Sequence, residues 1–235
     1  MKKKFCKLLL LILCLVSVMQ VKGYCSSADD LRGACQEGNY YLARRVLNDS
    51  WNQSSLITST DKFGATALHY ACDSGNEDIV AMLLNNVWST NSLITKQDKY
   101  GNTALHYACG SGNINIVNLL LNNVWSESSL ITTKNDYNET ALHFACRRSG
   151  NGDIIRLLLS KVWSTNSLIK TKSEYGVTAL HDACYYGDYE MVELLLTNVW
   201  GQSSFKKIRD DKGHTAMYYA SIAGHDDIVR LLDLY

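Results

Sequence analysis

Between Thr66 and Ala220 one heptapeptide is written five times. Thr66-Ala-Leu-His-Tyr-Ala-Cys72 returns as Thr103-Ala-Leu-His-Tyr-Ala-Cys109, Thr140-Ala-Leu-His-Phe-Ala-Cys146 and Thr178-Ala-Leu-His-Asp-Ala-Cys184, then in decayed form as Thr215-Ala-Met-Tyr-Tyr-Ala-Ser221. The leading threonines step by 37, 37, 38 and 37 positions. A fixed period of this size describes a stacked solenoid, because one such unit cannot bury its apolar face alone. It also argues against an enzyme, since no single copy is marked out for chemistry.

The rest of each unit is equally regular. Gly75-Asn76, Gly112-Asn113, Gly150-Asn151, Gly187-Asp188 and Gly224-His225 break the chain after the heptapeptide. An amphipathic run follows, as in Ile79, Val80, Leu83, Leu84 and Val87, with the spacing of a buried helical stripe. Between units stands a turn: Asp61-Lys-Phe-Gly64, Asp98-Lys-Tyr-Gly101, Asn135-Asp-Tyr-Asn138, Ser173-Glu-Tyr-Gly176 and Asp210-Asp-Lys-Gly213. Its last place is always Gly or Asn, the residues that reach positive φ at least cost.

Motif, period and turn together resemble the ankyrin repeat over roughly residues 27 to 235. Ala67, Ala104, Ala141, Ala179 and Ala216 stand where that family usually carries proline, and the chain has no proline at all. Proline at a first helical turn only pre-sets φ, so alanine is a mild replacement. The resemblance implies an all-α solenoid of helix-turn-helix repeats joined by β-turn fingers. Its divisions are a signal peptide over 1–23, a degenerate capping repeat over 24–60, and full repeats over 61–97, 98–134, 135–172 and 173–209. A closing cap spans 210–235, where Met217, Tyr218 and Ser221 replace Leu, His and Cys.

Each full unit runs about four residues beyond the ankyrin period. The surplus follows the second helix, in segments such as Asn86-Val-Trp-Ser-Thr-Asn-Ser-Leu-Ile94. One more residue enters near Arg147 and Arg148, giving the single step of 38. Trp51, Trp88, Trp125, Trp163 and Trp200 form a column within these inserts. The expectation is that each indole packs on its neighbour and closes the seam left by the extended helix exit, because large aromatics dominate burial. The alternative is an exposed aromatic stripe.

Residues 1–23 are different material. Lys2, Lys3, Lys4 and Lys7 precede an apolar run from Leu8 to Met19, the layout of a secretory signal peptide. The run is short for a spanning helix, which needs about 20 residues; a retained anchor is the alternative. Removing the segment takes five lysines and no acid, leaving 18 basic groups against 23 acidic, a net charge of −5. That argues against nucleic acid as a partner, and against a membrane surface beyond the signal segment. The expected location is secreted or periplasmic, with delivery into a host cytosol open.

Of eight cysteines, Cys35, Cys72, Cys109, Cys146 and Cys184 share one place in successive units. Stacked helices lie about 8–10 Å apart, whereas a disulfide needs Cα atoms within about 7 Å. They are expected to be a column of buried, unpaired thiols.

His69 and Cys72 recur at i, i+3, a spacing open to metal ligands, but a closed site needs four converging donors. In the ankyrin resemblance this histidine ties neighbouring turns together. Neither a nucleophile pair, a phosphate loop nor any cofactor pattern stands out, and no repeat shows a polar constellation absent from the others. The resemblance places binding on the concave surface. Carried onto this chain, that surface takes Phe63, Tyr100, Tyr137 and Tyr175 from the turn tips, and Tyr70, Tyr107, Phe144 and Tyr185 from the first helices. Arg147 and Arg148 sit centrally, ready for an acidic group on a partner. The expected partner is a protein, met by a monomer through aromatic and arginine side chains of the kind that dominate interfaces.

Overall fold

The computed structural model describes residues 27–235; the signal segment expected over 1–23 and Cys25 lie outside the described residues. Among the described residues seventeen helices follow one another. The first unit holds α1 (Ala28–Gln36), α2 (Tyr40–Asn48) and a short α3 (Gln53–Thr58). The next two hold α4 (Ala67–Asp73), α5 (Glu77–Asn85) and α6 (Thr90–Ile94), then α7 (Ala104–Ser111), α8 (Ile114–Asn122) and α9 (Glu127–Thr132). They are followed by α10 (Ala141–Cys146), α11 (Gly152–Ser160) and α12 (Thr165–Ile169), then α13 (Ala179–Tyr186), α14 (Tyr189–Thr197) and α15 (Gln202–Phe205). The chain closes with α16 (Ala216–Ala223) and α17 (Asp226–Leu234). First helices stack on first helices and second helices on second helices, which makes two layers. Among the described residues the only β-pairing is two isolated bridges, Gln97 with Thr103 and Arg209 with Thr215.

Four first helices, α4, α7, α10 and α13, start the same way, for a local reason. In α4 the backbone N–H and hydroxyl of Thr66 both lie against His69 Nδ1, at 3.1 and 2.9 Å. This is a capping box in which histidine replaces the usual acid. With Nδ1 accepting, the proton sits on Nε2, which donates to the Asn102 carbonyl of the next repeat at 3.3 Å. His106 does the same toward Glu139 at 3.4 Å. The histidine is therefore a structural tie in these repeats, as the resemblance implied. The second helices α2, α5 and α8 are capped by asparagine: Asn76 accepts from Ile79 N–H, and its own amide donates back to the Gly38 carbonyl. Asn113 repeats this contact with Gly75.

The five aligned cysteines are buried and unpaired. Burial pushes their thiols up, Cys35 to about 12, so they are inert apolar fillers. The inserts close differently from expectation. The short helices α6, α9 and α12 each turn a pair of apolar side chains inward, Leu93 and Ile94, Leu130 and Ile131, Leu168 and Ile169, and all six are buried; α3 and α15 bury Ile57 and Phe205. They seal the seam that the indoles were expected to seal. The tryptophans stand in water instead, 83% to 98% exposed.

Candidate functional site

The turn tips are built by their own backbone. In each finger the first residue's N–H donates to the carbonyl four places on, as Asp98 does to Asn102 at 2.9 Å. Neighbouring fingers are then stitched at the aromatic tip. Lys99 N–H donates to the Phe63 carbonyl at 2.7 Å, Asp136 to Tyr100 at 2.9 Å, Glu174 to Tyr137 at 2.7 Å and Asp211 to Tyr175 at 3.1 Å. The residue after each tip lies at positive φ, which Gly and Asn reach at least cost, and the ladder adds crowding at some of them. Gly101 has φ of 76°, and a Cβ there would sit 2.7 Å from the Asp136 nitrogen. Asn138, at φ of 57°, is the one non-glycine residue in this region among those described.

Phe63, Tyr100, Tyr137 and Tyr175 are exposed along this ladder, and Tyr185 is exposed beside it on α13. Lys62 and Lys99 place their ammonium groups 4.9 and 5.1 Å from the Phe63 ring, within cation–π range. The first-helix aromatics are more committed. Tyr70 donates to Asp61 and Tyr107 to Asp98, both at 2.6 Å. The bond to Asp61 pushes the Tyr70 phenol up to about 12. Tyr107 and Phe144 also meet the preceding histidine edge-on, at 5.8 and 5.3 Å. Tyr70 and Tyr107 thus brace the fingers while Phe144 packs on His106, and all three offer only part of their surface outward.

The fourth and fifth units depart from this scheme together. Where the phenol is lost (Phe144, Asp182) the finger carboxylate is lost as well (Asn135, Ser173). Arg147 fills the gap. Its guanidinium pairs with Glu139, and its Nε donates to Asp182 Oδ1 at 3.3 Å. Two expectations are corrected here. Arg147 is not a free cation awaiting an acidic partner, because two carboxylates of its own chain already hold it. And one region does carry a polar constellation absent from the others. Arg148 is exposed and lies over Gly112, whose absent Cβ leaves room for it.

This cluster is electrostatically uneven. Burial pushes Glu139 up, but the hydrogen bond and charge of Arg147 outweigh it and hold Glu139 below the usual value. Burial dominates at Asp182, which is pushed up to about 6, and its Oδ2 has no hydrogen-bond partner. Burial also holds His106 and His143 down at about 4, and His143 Nε2 has no partner. Two shallow grooves flank the face. One of about 190 Å³ is lined by Phe63, Tyr70, Tyr100 and Tyr107. The other, about 230 Å³, is lined by Glu139, Arg147, Tyr175, Asp182 and Tyr185. No group of three or more His, Cys, Asp or Glu among the described residues is placed to hold a metal ion.

Comparison with known proteins decides the family. The family model described as ankyrin repeats (three copies) matches residues 31–130, 126–208 and 167–233. The chain belongs to the ankyrin repeat family. Ankyrin repeat proteins are in general non-catalytic binding modules. Among solved structures, the crystal structure of EF0377, an ankyrin repeat protein, is similar with a TM-score of 0.65 and 24% identity, covering 89% of this chain and 98% of that one. A chain in the structure of the Bd0816 predatory endopeptidase from Bdellovibrio bacteriovorus in complex with immunity protein Bd3460 gives a TM-score of 0.67 and 23% identity, covering 88% and 98%. At these identities the likeness is one of fold. No curated protein sequence matches this ankyrin repeat chain.

Sequence reasoning missed Glu139 as a functional group. Its place before the capping threonine holds Ala65, Asn102, Val177 and His214 in the other units, and that oddity was the available signal. It also misjudged the tryptophans, whose strict period fits display as well as stacking.

Proposed function

We propose that this chain is a non-catalytic protein-binding module that is exported and holds a folded partner or peptide against its finger face. The observation that carries this reading is the backbone ladder under Phe63, Tyr100, Tyr137 and Tyr175. It fixes four exposed aromatics before any partner arrives, so little conformational freedom is lost on association. Large, pre-positioned aromatics are the usual anchors of protein interfaces. Export rests on the basic and apolar order of residues 1–23. Five buried, unpaired thiols suit a reducing destination and tolerate an oxidising one. Together these features favour a secreted effector acting on a host protein.

A second reading is a resident envelope protein that binds and protects or restrains a local partner. The likeness in fold to a chain from an endopeptidase–immunity protein complex is the observation in its favour.

Affinity capture with wild type and the Tyr100→Ala/Tyr137→Ala variant tests the site, followed by binding of the purified partner. Losing two hot-spot aromatics costs about 2–4 kcal/mol, so the variant is expected to bind on the order of a hundredfold more weakly. Equal binding by both proteins removes the finger face as the site. A host origin for the partner favours the effector, an origin in the producing cell the resident protein.

A further inference from the structure

The insert edge is the most unusual surface of the molecule. All five tryptophans of the chain lie on it, one per repeat, each almost wholly in water. Neighbouring repeats are about 8–10 Å apart, so the indoles form a row with that pitch. Solvent exposure of a single aromatic needs no explanation, but a contiguous aromatic row does. The backbone beneath the row is pinned. Asn91 in α6 accepts the N–H of Trp125 at 3.1 Å, and Asn166 in α12 accepts that of Trp200 at the same distance. Thr90 donates to the Asn123 carbonyl at 3.3 Å. At Trp125 and Trp200 the fold therefore fixes the indole's attachment point while leaving its ring unburied.

Charge on this edge differs from that of the whole protein. The first of the five inserts carries Asp49; in the other four, 85–97, 122–134, 160–172 and 197–209, the one carboxylate is Glu127, and Lys161 pairs with it at 3.0 Å. Lys96, Lys134, Lys170, Lys172, Lys207 and Arg209 share these inserts, and none is paired with an acid among the described residues. Acidic groups collect at the far end of the second helices, in Glu77, Asp78, Asp153, Glu190, Asp226 and Asp227. Nine-residue helices put the two ends about 13 Å apart. The net charge of −5 that argued against membranes is thus an average over two unlike ends.

We infer that the insert edge is a peripheral docking surface for the interface of an anionic lipid bilayer, with the tryptophan row seated at headgroup level and the insert lysines facing lipid phosphates. Tryptophan favours that boundary because its ring is apolar and its N–H is polar. Residues beside the indoles, such as Ser89, Thr90, Ser164 and Thr165, are mostly uncharged and hydroxylated; the carboxylates near the row are Asp49, beside Trp51, and Glu127, beside Trp125, which Lys161 neutralises. Lysines one short helix away reach phosphates on long apolar stems. The acidic ends are turned from the surface. No helix among the described residues is long and apolar enough to cross a membrane, so the contact is peripheral.

Tryptophan emission of the full chain reads this surface selectively, because residues 1–26 contain no tryptophan. The probe is a vesicle of equal parts phosphatidylcholine and phosphatidylglycerol, with and without brominated acyl chains. The expected result is a blue shift on the anionic vesicles with quenching by the brominated lipid, and a much weaker response to phosphatidylcholine alone. A Lys134→Gln/Lys207→Gln variant, which removes two cations that make no side-chain hydrogen bond, is expected to respond about tenfold more weakly. Unchanged emission on anionic vesicles overturns the inference. So does a blue shift that follows protein concentration without lipid, which assigns the row to a second copy. A shift on a neutral soluble polysaccharide but not on vesicles overturns it in favour of a glycan.

Discussion

Two rows of aromatic side chains run the length of this solenoid, and the protein treats them in opposite ways. On the finger face each ring is tied into the repeat stack, through a tip carbonyl that receives the next finger's N–H or a phenol that donates to a finger carboxylate. On the insert edge the indoles stand almost wholly in water, although the backbone at Trp125 and Trp200 is held between repeats. The first row shares its energy between stability and display. The second gives stability nothing and is all display. Aromatic periodicity alone therefore does not distinguish a core column from a presented surface; neighbouring apolar residues do. In the inserts the Leu-Ile pairs of the short helices take the buried places, and tryptophan is left outside.

The sharpest way to break this comparison is within one insert. Ile131→Ala removes a fully buried side chain from α9 and is expected to cost about 2–5 kcal/mol. Trp125→Ala, six residues away, is expected to stay within about 0.5 kcal/mol of wild type. Urea unfolding of both variants measures the contrast, and a costly Trp125→Ala would show the row to be structural.

On the finger face Arg147→Ala strands two carboxylates, one of them buried. Because Arg147 is itself about a third exposed, the loss is discounted to roughly 1–3 kcal/mol. The matching control is Asp182→Asn, which removes a charge whose second oxygen has no partner.

The two sets of buried titratable groups respond to pH with opposite signs. His106 and His143 are held at about 4 in the fold against 6.5 when exposed, so the unfolded chain binds more protons between those values. Their contribution is full above pH 6.5 and is lost as pH falls toward 4. Asp182 is raised from 3.8 to about 6, so the folded chain binds the extra proton, and stability is lost as pH rises through that window. The difference in urea midpoint between wild type and Asp182→Asn should therefore grow in the variant's favour from pH 4 to pH 6.5. A difference independent of pH would mean that Asp182 titrates normally.

The smallest expected effect is on thiol chemistry. Cys35, Cys72, Cys109, Cys146 and Cys184 are buried with raised pKa values. In the native protein none of the five should react with a maleimide, and all five should in urea. Native labelling at any of them, located by peptide mapping, would contradict the buried column.

Much of the fold was legible because its determinants are local and repeated. The Thr-x-x-His capping box, the Gly-Asn break and the Gly or Asn at each finger all lie within a few residues of the groups they serve. The site was legible only in part. Glu139, Arg147 and Asp182 come from a finger and two different first helices, up to 43 positions apart, and nothing local announces that they meet. The insertion near Arg147 was visible; its consequence was not. The extra residue ends α10 early, and Asn151 turns its amide to the Cys109 and Ala145 carbonyls instead of capping α11.

Tryptophan fluorescence of the native protein, with acrylamide quenching, tests the contrast between the two rows most directly. All five indoles report the insert edge and nothing else. The emission maximum should already be that of a water-exposed indole, quenching should approach that of free tryptophan, and unfolding in urea should leave both nearly unchanged. A blue-shifted native spectrum that moves to the red on unfolding would place the tryptophans in a packed seam and contradict the account.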